Sequence, residues 1–467
     1  MFEKHVYVKR RIALKKQIHS GIILLPGNTE SPMNYKDNTF QFRQDSNFLY
    51  FFGLDCPLVA GIIDAESGEE ILFGDEYTMD DLIWTGKQKT LSEKAATVGV
   101  QKTFPFNKLY SFIQQAIAKK RKIHFNPPYR AENKILLNEL LSFPVSQQEK
   151  NASVELIKTI INLRSVKDEE EIEELKKVAK TGYKMHIRAM EMAHPGEWEQ
   201  NIAGTIEGIS LAGGGLPSFA VILSQHGETL HNHSHLNFLE KGKLMLVDAG
   251  AESSMHYASD NTRTIPVGGK FTQQQKDIYN IVLNANNKTH ELAKPGVSYL
   301  SIHLAACEVI VSGLKDLGLM KGDVKEAVKQ GAWALFMPHG IGHMMGLDVH
   351  DMEDLGQNYV GYDDEIRPID KFGFSSIRMG RRLQKGFVVT DEPGIYFIPA
   401  LSEKWQRENI NTEFINFKAL EKYNDFGGIR IEDDLLINEH GSTIIGERIP
   451  ITPEEIFNTV NRKNSYL

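Results

Sequence analysis

The segment HGIGHMMGLDVHD, residues 339–351, sets three histidines and two aspartates among glycines. Histidine is the commonest transition-metal ligand and the usual proton carrier near neutral pH. A stretch of this composition can hold a metal, relay protons or form a polar turn, and partners from elsewhere in the chain must decide among the three. KLMLVDAG, 243–250, ends an apolar run in Asp248, and YASDNTRTIPVGG follows with Asp260. FVVTDEPGIYF places Glu392 after another apolar run. In GGIRIEDDLLI a strand's period of two turns Arg430, Glu432 and Asp434 one way and Ile429, Ile431 and Asp433 the other. Arg and Glu side by side on a strand flanked by apolar residues favour the lining of a polar site. LHNHSHLN alternates His231, His233 and His235, a pattern shared by zinc-binding strands and polar loops, and its spacing does not separate the two.

These residues need elements to hold them. KLMLVDAG reads as a buried strand and the Asp260 stretch as its return strand in a hairpin. KDEEEIEELKKVAKTGYKMHIRAMEMAHPG reads as a long amphipathic helix, acidic in its first turn and stopped by Pro195-Gly196. A similar unit recurs one hundred residues later, where a helix ends at Pro295-Gly296 and a second helix follows. The recurrence predicts one domain of two similar halves. Residues 1–150 alternate short apolar runs with helical stretches and read as mixed α/β. The polar, aperiodic stretch SFPVSQQEKNAS marks a boundary, giving domains 1–155 and 156–467.

Bulk properties agree with such a molecule. A chain of 467 residues exceeds one ordinary core, and 41 % apolar with 24 % charged residues is a globular composition. The net charge of -8 and the lack of a basic block argue against nucleic acid and anionic membranes as partners. No apolar run approaches a membrane span, and the first residues lack the apolar core of a signal peptide. Cys56 and Cys307 are too few for a disulfide framework or a thiolate metal cage, so a cytoplasmic location is expected.

Taken in order, LVDAG, SDNTRTIPV, HGIGHMMGLDVHD, TDEPGIYF and GGIRIEDD resemble the motifs of the prolidase and aminopeptidase P metallopeptidases. FRQDSNFLYFFGLDCPLVAGIID is similar to the same family's creatinase-like N-terminal domain, so the resemblance spans nearly the whole chain. It implies an α/β N-terminal domain followed by an α+β "pita-bread" catalytic domain with pseudo-two-fold internal symmetry. It also implies five metal ligands: Asp248, Asp260, His343, Glu392 and Glu432. Asp260 and Glu432 would bridge two divalent ions. Four carboxylates and one imidazole form a hard, oxygen-rich set that suits Mn2+, with Co2+, Zn2+ and Fe2+ as alternatives. Two such ions would share a water and lower its pKa.

The same resemblance gives Glu392 the water's proton, His350 the substrate carbonyl, and His231, preceded by Leu230, a substrate contact beyond the metals. His339 becomes a substrate contact or a neighbour of the ligands. Arg430 would position substrate and site carboxylates, and His233 and His235 receive no role. The substrate class implied is a proline-containing di- or oligopeptide cut before proline, and a homodimer is expected.

Two departures stand out. Asp248 and Asp260 are twelve positions apart where the family usually has eleven, which an outward bulge in AESSMHYAS can absorb. Asp391 replaces the usual apolar residue before Glu392 and should face away from the metals. A dipeptidase must hold a free carboxylate after proline, and Arg378, fourteen residues before Glu392, is the candidate. This favours a prolidase. Aminopeptidase P is the second reading, and a catalytically inactive pita-bread binding module, of a kind that typically loses metal ligands, is the third. The segment 352–374 fits either a rim of the site or a surface insertion.

Overall fold

A computed structural model describes residues 1–462 and divides into two compact units. The first comprises Met1–Arg164 with Met352–Tyr359, and the second Ser165–Asp351 with Val360–Leu467. In the first unit a five-stranded mixed sheet runs in the order Lys102–Phe104, Glu70–Phe73, Ala60–Asp64, Ile22–Pro26, Ile123–His124. Its central strands are short and largely buried, as in IILLP and AGIID, and the helix Ser46–Phe52 packs its aromatic run entirely inward. The polar stretch at 142–153 is not irregular: it forms the helix Val145–Asn151, which buries Gln148.

The second unit repeats one device. The helices Glu169–Met192 and Glu199–Ala212 pack together, as do Gln273–Leu292 and Tyr299–Asp316. Capping boxes at Asp168 and Thr272 start the first helix of each pair. Each first helix stops at a Pro-Gly turn whose glycine, Gly196 or Gly296, has φ +86°, a conformation that side chains with a Cβ rarely adopt. The recurrence predicted from the sequence is therefore present in the backbone.

Between the helix pairs lie small antiparallel sheets. The wholly buried strand Leu244–Ala249 pairs with Ile222–Ser224 on one side and Asn261–Pro266 on the other. Val388–Asp391 pairs with Asp433–Ile437, and Gly394–Tyr396 with Gly428–Arg430. A bridge between Thr262 and Glu432 joins the Asn261–Pro266 strand to the Arg430–Asp434 run. No described helix is long and apolar enough to cross a membrane.

Two buried histidines predict how this unit responds to acid. His186 donates from Nε2 to the Ala249 carbonyl at 3.0 Å, and burial pushes its pKa down to about 4. His303 lies edge-on to Trp333, and burial pushes it down to about 3. The unfolded chain takes up these protons below the ordinary value of 6.5, whereas the folded protein refuses them until about 4 and about 3. The stability these two histidines contribute should therefore be full above pH 6.5 and be lost as pH drops toward 4, by roughly 3 kcal/mol for His186 alone. Thermal melts from pH 8 to 4 should show the decline. His186→Gln combined with His303→Phe should make it shallower, and an unchanged slope in that variant would place the acid sensitivity elsewhere.

Candidate active site

Neighbouring strand ends gather the charged residues. Asp248 and Thr262 face each other across the Leu244–Ala249/Asn261–Pro266 ladder, and Asp260 lies just before the second strand. The excursion between them closes as its own small hairpin, with Glu252 bridging Ala258 and His256 at φ +67°. Thr262 donates its hydroxyl to Glu432 Oε2 at 2.7 Å. Arg430 reaches the same Thr262 oxygen with Nε at 3.2 Å, so Arg430 and Glu432 do share a face. Asp434, two residues further on, accepts from the Asp260 amide at 3.1 Å. Asp433 points the other way and pairs with Arg263 at 2.6 Å.

His343 is held by Thr390. Its amide donates to Thr390 Oγ1 at 3.1 Å, and its carbonyl accepts from the Thr390 amide at 3.0 Å. The imidazole Nδ1 lies 3.0 Å from the Met344 carbonyl, which can only accept, so Nδ1 carries the proton. In the neutral ring the Nε2 lone pair then faces Asp260 Oδ2 at 3.4 Å and Glu392 Oε1 at 3.6 Å. Glu392 follows the strand Val388–Asp391, where Thr390 donates to its Oε1 at 3.4 Å. Asp391 itself is buried away from this cluster, accepting from Asn286 at 3.1 Å, as its alternation along the strand requires.

The charges are poorly balanced by protein alone. Asp260 and Glu432 are held well above the usual carboxylate range, first by burial and then by neighbouring carboxylates, chiefly Asp248 and Asp434 for Asp260, and Asp260 and Glu392 for Glu432. The Oδ1 atoms of Asp248 and Asp260 are buried without a hydrogen-bond partner. Asp260, His343 and Glu432 present ligand atoms within 4.8 Å of one another, the one group of this kind among the described residues. Imidazole, carboxylates and unmet oxygen lone pairs converging in a buried space fit a divalent cation, which would satisfy all of them at once.

Arg430 is the buried counter-charge. It donates to Asp248 Oδ2 at 2.6 Å and to the Tyr396 hydroxyl at 2.7 Å. Tyr396 lies 3.0 Å from His339 Nε2, and His339 Nδ1 lies 2.7 Å from the Gly340 carbonyl. Both imidazole nitrogens are thus engaged. Burial and then Arg430 push His339 down to about 4, so the ring is neutral near pH 7 and takes the tyrosine proton's hydrogen bond. Tyr396 is pushed up to about 12, mainly by burial. Tyr396, Thr262 and Thr390 were not singled out in the sequence. Thr262 was findable, because it lies two residues after Asp260 on the same strand face; Tyr396 and Thr390 carry no comparable local signal.

The remaining candidates sit at the margin. The half-buried ring of His350 packs 4.2 Å from that of His343, centroid to centroid. His231 lies on an exposed turn, and its pKa is lowered by desolvation and by Arg430, whose charge it senses together with that of Asp248. His233 is exposed, and His235 is turned to the Leu223 carbonyl at 2.9 Å, so the three alternating histidines do not converge as ligands. Arg378 is half-buried, and its backbone packs against Gly340, where an added Cβ would lie 3.0 Å from Ile377 Cα and 3.5 Å from the Arg378 nitrogen.

Known proteins match this arrangement across the chain. Residues 173–439 match the model of metallopeptidase family M24, and residues 7–124 that of the aminopeptidase P N-terminal domain. The Xaa-Pro aminopeptidase of Escherichia coli is 30 % identical over 96 % of each chain. The human Xaa-Pro dipeptidase is 29 % identical over 93 % of this chain and 87 % of its own. A structure of Escherichia coli aminopeptidase P in complex with substrate superposes with a TM-score of 0.79 at 28 % identity, covering 98 % of both chains. Zinc-substituted aminopeptidase P in complex with product gives the same score and coverage. A family model covering more than half the chain, a relative matched over nearly all of it and a shared two-domain pita-bread architecture lead to one assignment: the chain belongs to metallopeptidase family M24, among its metal-dependent Xaa-Pro peptidases.

Proposed function

We propose that the protein hydrolyses the Xaa-Pro bond of dipeptides, with Asp248, Asp260, His343, Glu392 and Glu432 holding two divalent ions, Mn2+ by preference. The oxygen-rich donor set favours manganese over a softer metal, with Co2+, Zn2+ and Fe2+ able to take the same ligands. When bound, such ions supply Lewis acidity and make a water acidic enough to attack an amide at neutral pH.

The chain's own residues do the rest. Glu392, tied to Thr390 and near His339 and His343, accepts the attacking water's proton and returns it toward the proline nitrogen. His350 donates to the carbonyl oxygen as negative charge grows there. His231 holds the substrate from the exposed side. Arg430 keeps Asp248 and Tyr396 in place, and Tyr396 in turn fixes the neutral His339 beside the substrate. A homodimer is part of this reading, which size-exclusion chromatography with light scattering would test.

The choice of dipeptides rests on Arg378. Its backbone abuts Gly340, next to His339, which places Arg378 on a segment beside the site. A fixed guanidinium pairs with a carboxylate through two hydrogen bonds, which Lys or a neutral side chain cannot reproduce. The full-length likeness to Escherichia coli aminopeptidase P favours the second reading, removal of one residue from longer peptides. Kinetics on Gly-Pro and Ala-Pro against an Xaa-Pro-Xaa tripeptide, with Mn2+, decide between them. The dipeptides should be cut faster, and Arg378→Ala should raise their KM by about tenfold or more while sparing the tripeptide. Faster cleavage of the tripeptide with no effect of Arg378→Ala would make the enzyme an aminopeptidase.

A further inference from the structure

We propose that the buried ion pair between Lys167 and Asp351 is a positioning element for the reaction, setting the place of the neighbouring His350; this rests on the reading of His350 as a substrate-facing group. Lys167 Nζ lies 2.8 Å from Asp351 Oδ2, and both side chains are only 1 % exposed. The partners are 184 residues apart in sequence.

Each partner is anchored separately. Lys167 stands before Asp168, the capping residue of helix Glu169–Met192, and its amide donates to the Gly386 carbonyl at 2.8 Å. The Asp351 amide donates to the Met344 carbonyl at 2.9 Å, and Asp351 Oδ1 accepts from the Asp348 amide at 3.3 Å. The carboxylate thus closes the loop that begins beside His343 and ends beside His350. Gly346 lies inside that loop, where an added Cβ would stand 2.6 Å from Asp351 Oδ2 and 2.8 Å from Lys167 Nζ. The charged pair sits so close to Gly346 that an added Cβ would push one of the two side-chain ends aside.

Stability alone is a poor reason for such a pair. Desolvating two charges roughly cancels their attraction, and apolar residues of similar volume often serve as well or better. What a charged pair adds is direction. Asp351 is held at one oxygen by Lys167 and at the other by the loop amide, so the adjoining His350 backbone has little freedom. The pair also ties together the two points where the chain enters and leaves the catalytic unit, Ser165 and Asp351.

The test uses Lys167→Met, Asp351→Asn and the apolar pair Lys167→Met/Asp351→Leu, each in the wild-type and His350→Ala backgrounds. The double variant leaves no unpaired charge, and so serves if either single variant fails to fold. With metal content per chain unchanged, kcat should fall by about tenfold to a hundredfold, the size of a misplacement effect, while KM stays within about twofold. On top of His350→Ala the same changes should alter kcat by less than about twofold, because the group being positioned is gone. A folded double variant with kcat near wild type, or a loss that persists in full on top of His350→Ala, would overturn the positioning role. If His350→Ala itself left kcat unchanged, the assignment of His350 would fall and this role with it. If His350→Ala lowered kcat while the apolar pair did not, only the positioning role would fall.

Discussion

Glu432→Gln and Asp260→Ala should each reduce turnover by about a thousandfold or more, and the loss should be traceable to metal. Both carboxylates lie in the group that presents its ligand atoms within 4.8 Å. Without a cation they sit among other carboxylates in a buried space, and burial together with that neighbouring negative charge holds both well above the usual carboxylate range. Two consequences can be measured apart from activity. Chelated wild-type protein should melt lower than the Mn2+-loaded form, because a ligand that binds only the folded state stabilises it by mass action. The Glu432→Gln protein should lose most of that metal-dependent rise, yet melt no lower than chelated wild type, because one like charge has left the cluster. Elemental analysis gives the ion count. Full turnover by chelated protein with no metal bound would rule out this reaction altogether.

The candidate site was legible in the sequence where a charged residue sits at the end of an apolar strand. Asp248 closes LVDAG, Glu392 follows FVVTD, and period-two alternation put Arg430, Glu432 and Asp434 on one face, where hydrogen bonds to Thr262 and Asp260 now find them. The helix-pair repeat was legible because a Pro-Gly stop needs no tertiary context. Other features were not legible, for reasons of distance. Tyr396 meets Arg430 and His339, and Lys167 meets Asp351; such contacts join segments far apart and leave no periodic trace. The stretch 142–153 looked irregular because its helix buries little beyond Gln148, whose side-chain amide donates to the Lys134 and Phe143 carbonyls. Tertiary hydrogen bonds formed a helix there that apolar periodicity could not announce.

His350→Ala and His231→Ala should each lower kcat/KM by about a hundredfold while leaving metal content near wild type, as is typical for losing a proton-transfer or oxyanion group. The geometry separates these histidines from His343. His343 turns Nε2 toward Asp260 and Glu392, with Nδ1 fixed on a backbone carbonyl, so His343→Ala should strip metal and activity together. His350 packs its ring against that of His343 and lies outside the group of converging ligand atoms. His231 is exposed and senses the cluster through Arg430 and Asp248. The two should also differ from each other. A group that meets the carbonyl oxygen only as charge develops should show its loss in kcat, whereas one that holds the substrate from the exposed side should raise KM as well. Parallel loss of metal and activity in His350→Ala would make that residue a ligand. Metal loss in His231→Ala would bring back the alternating histidines as a binding strand, against their present separation on an exposed segment.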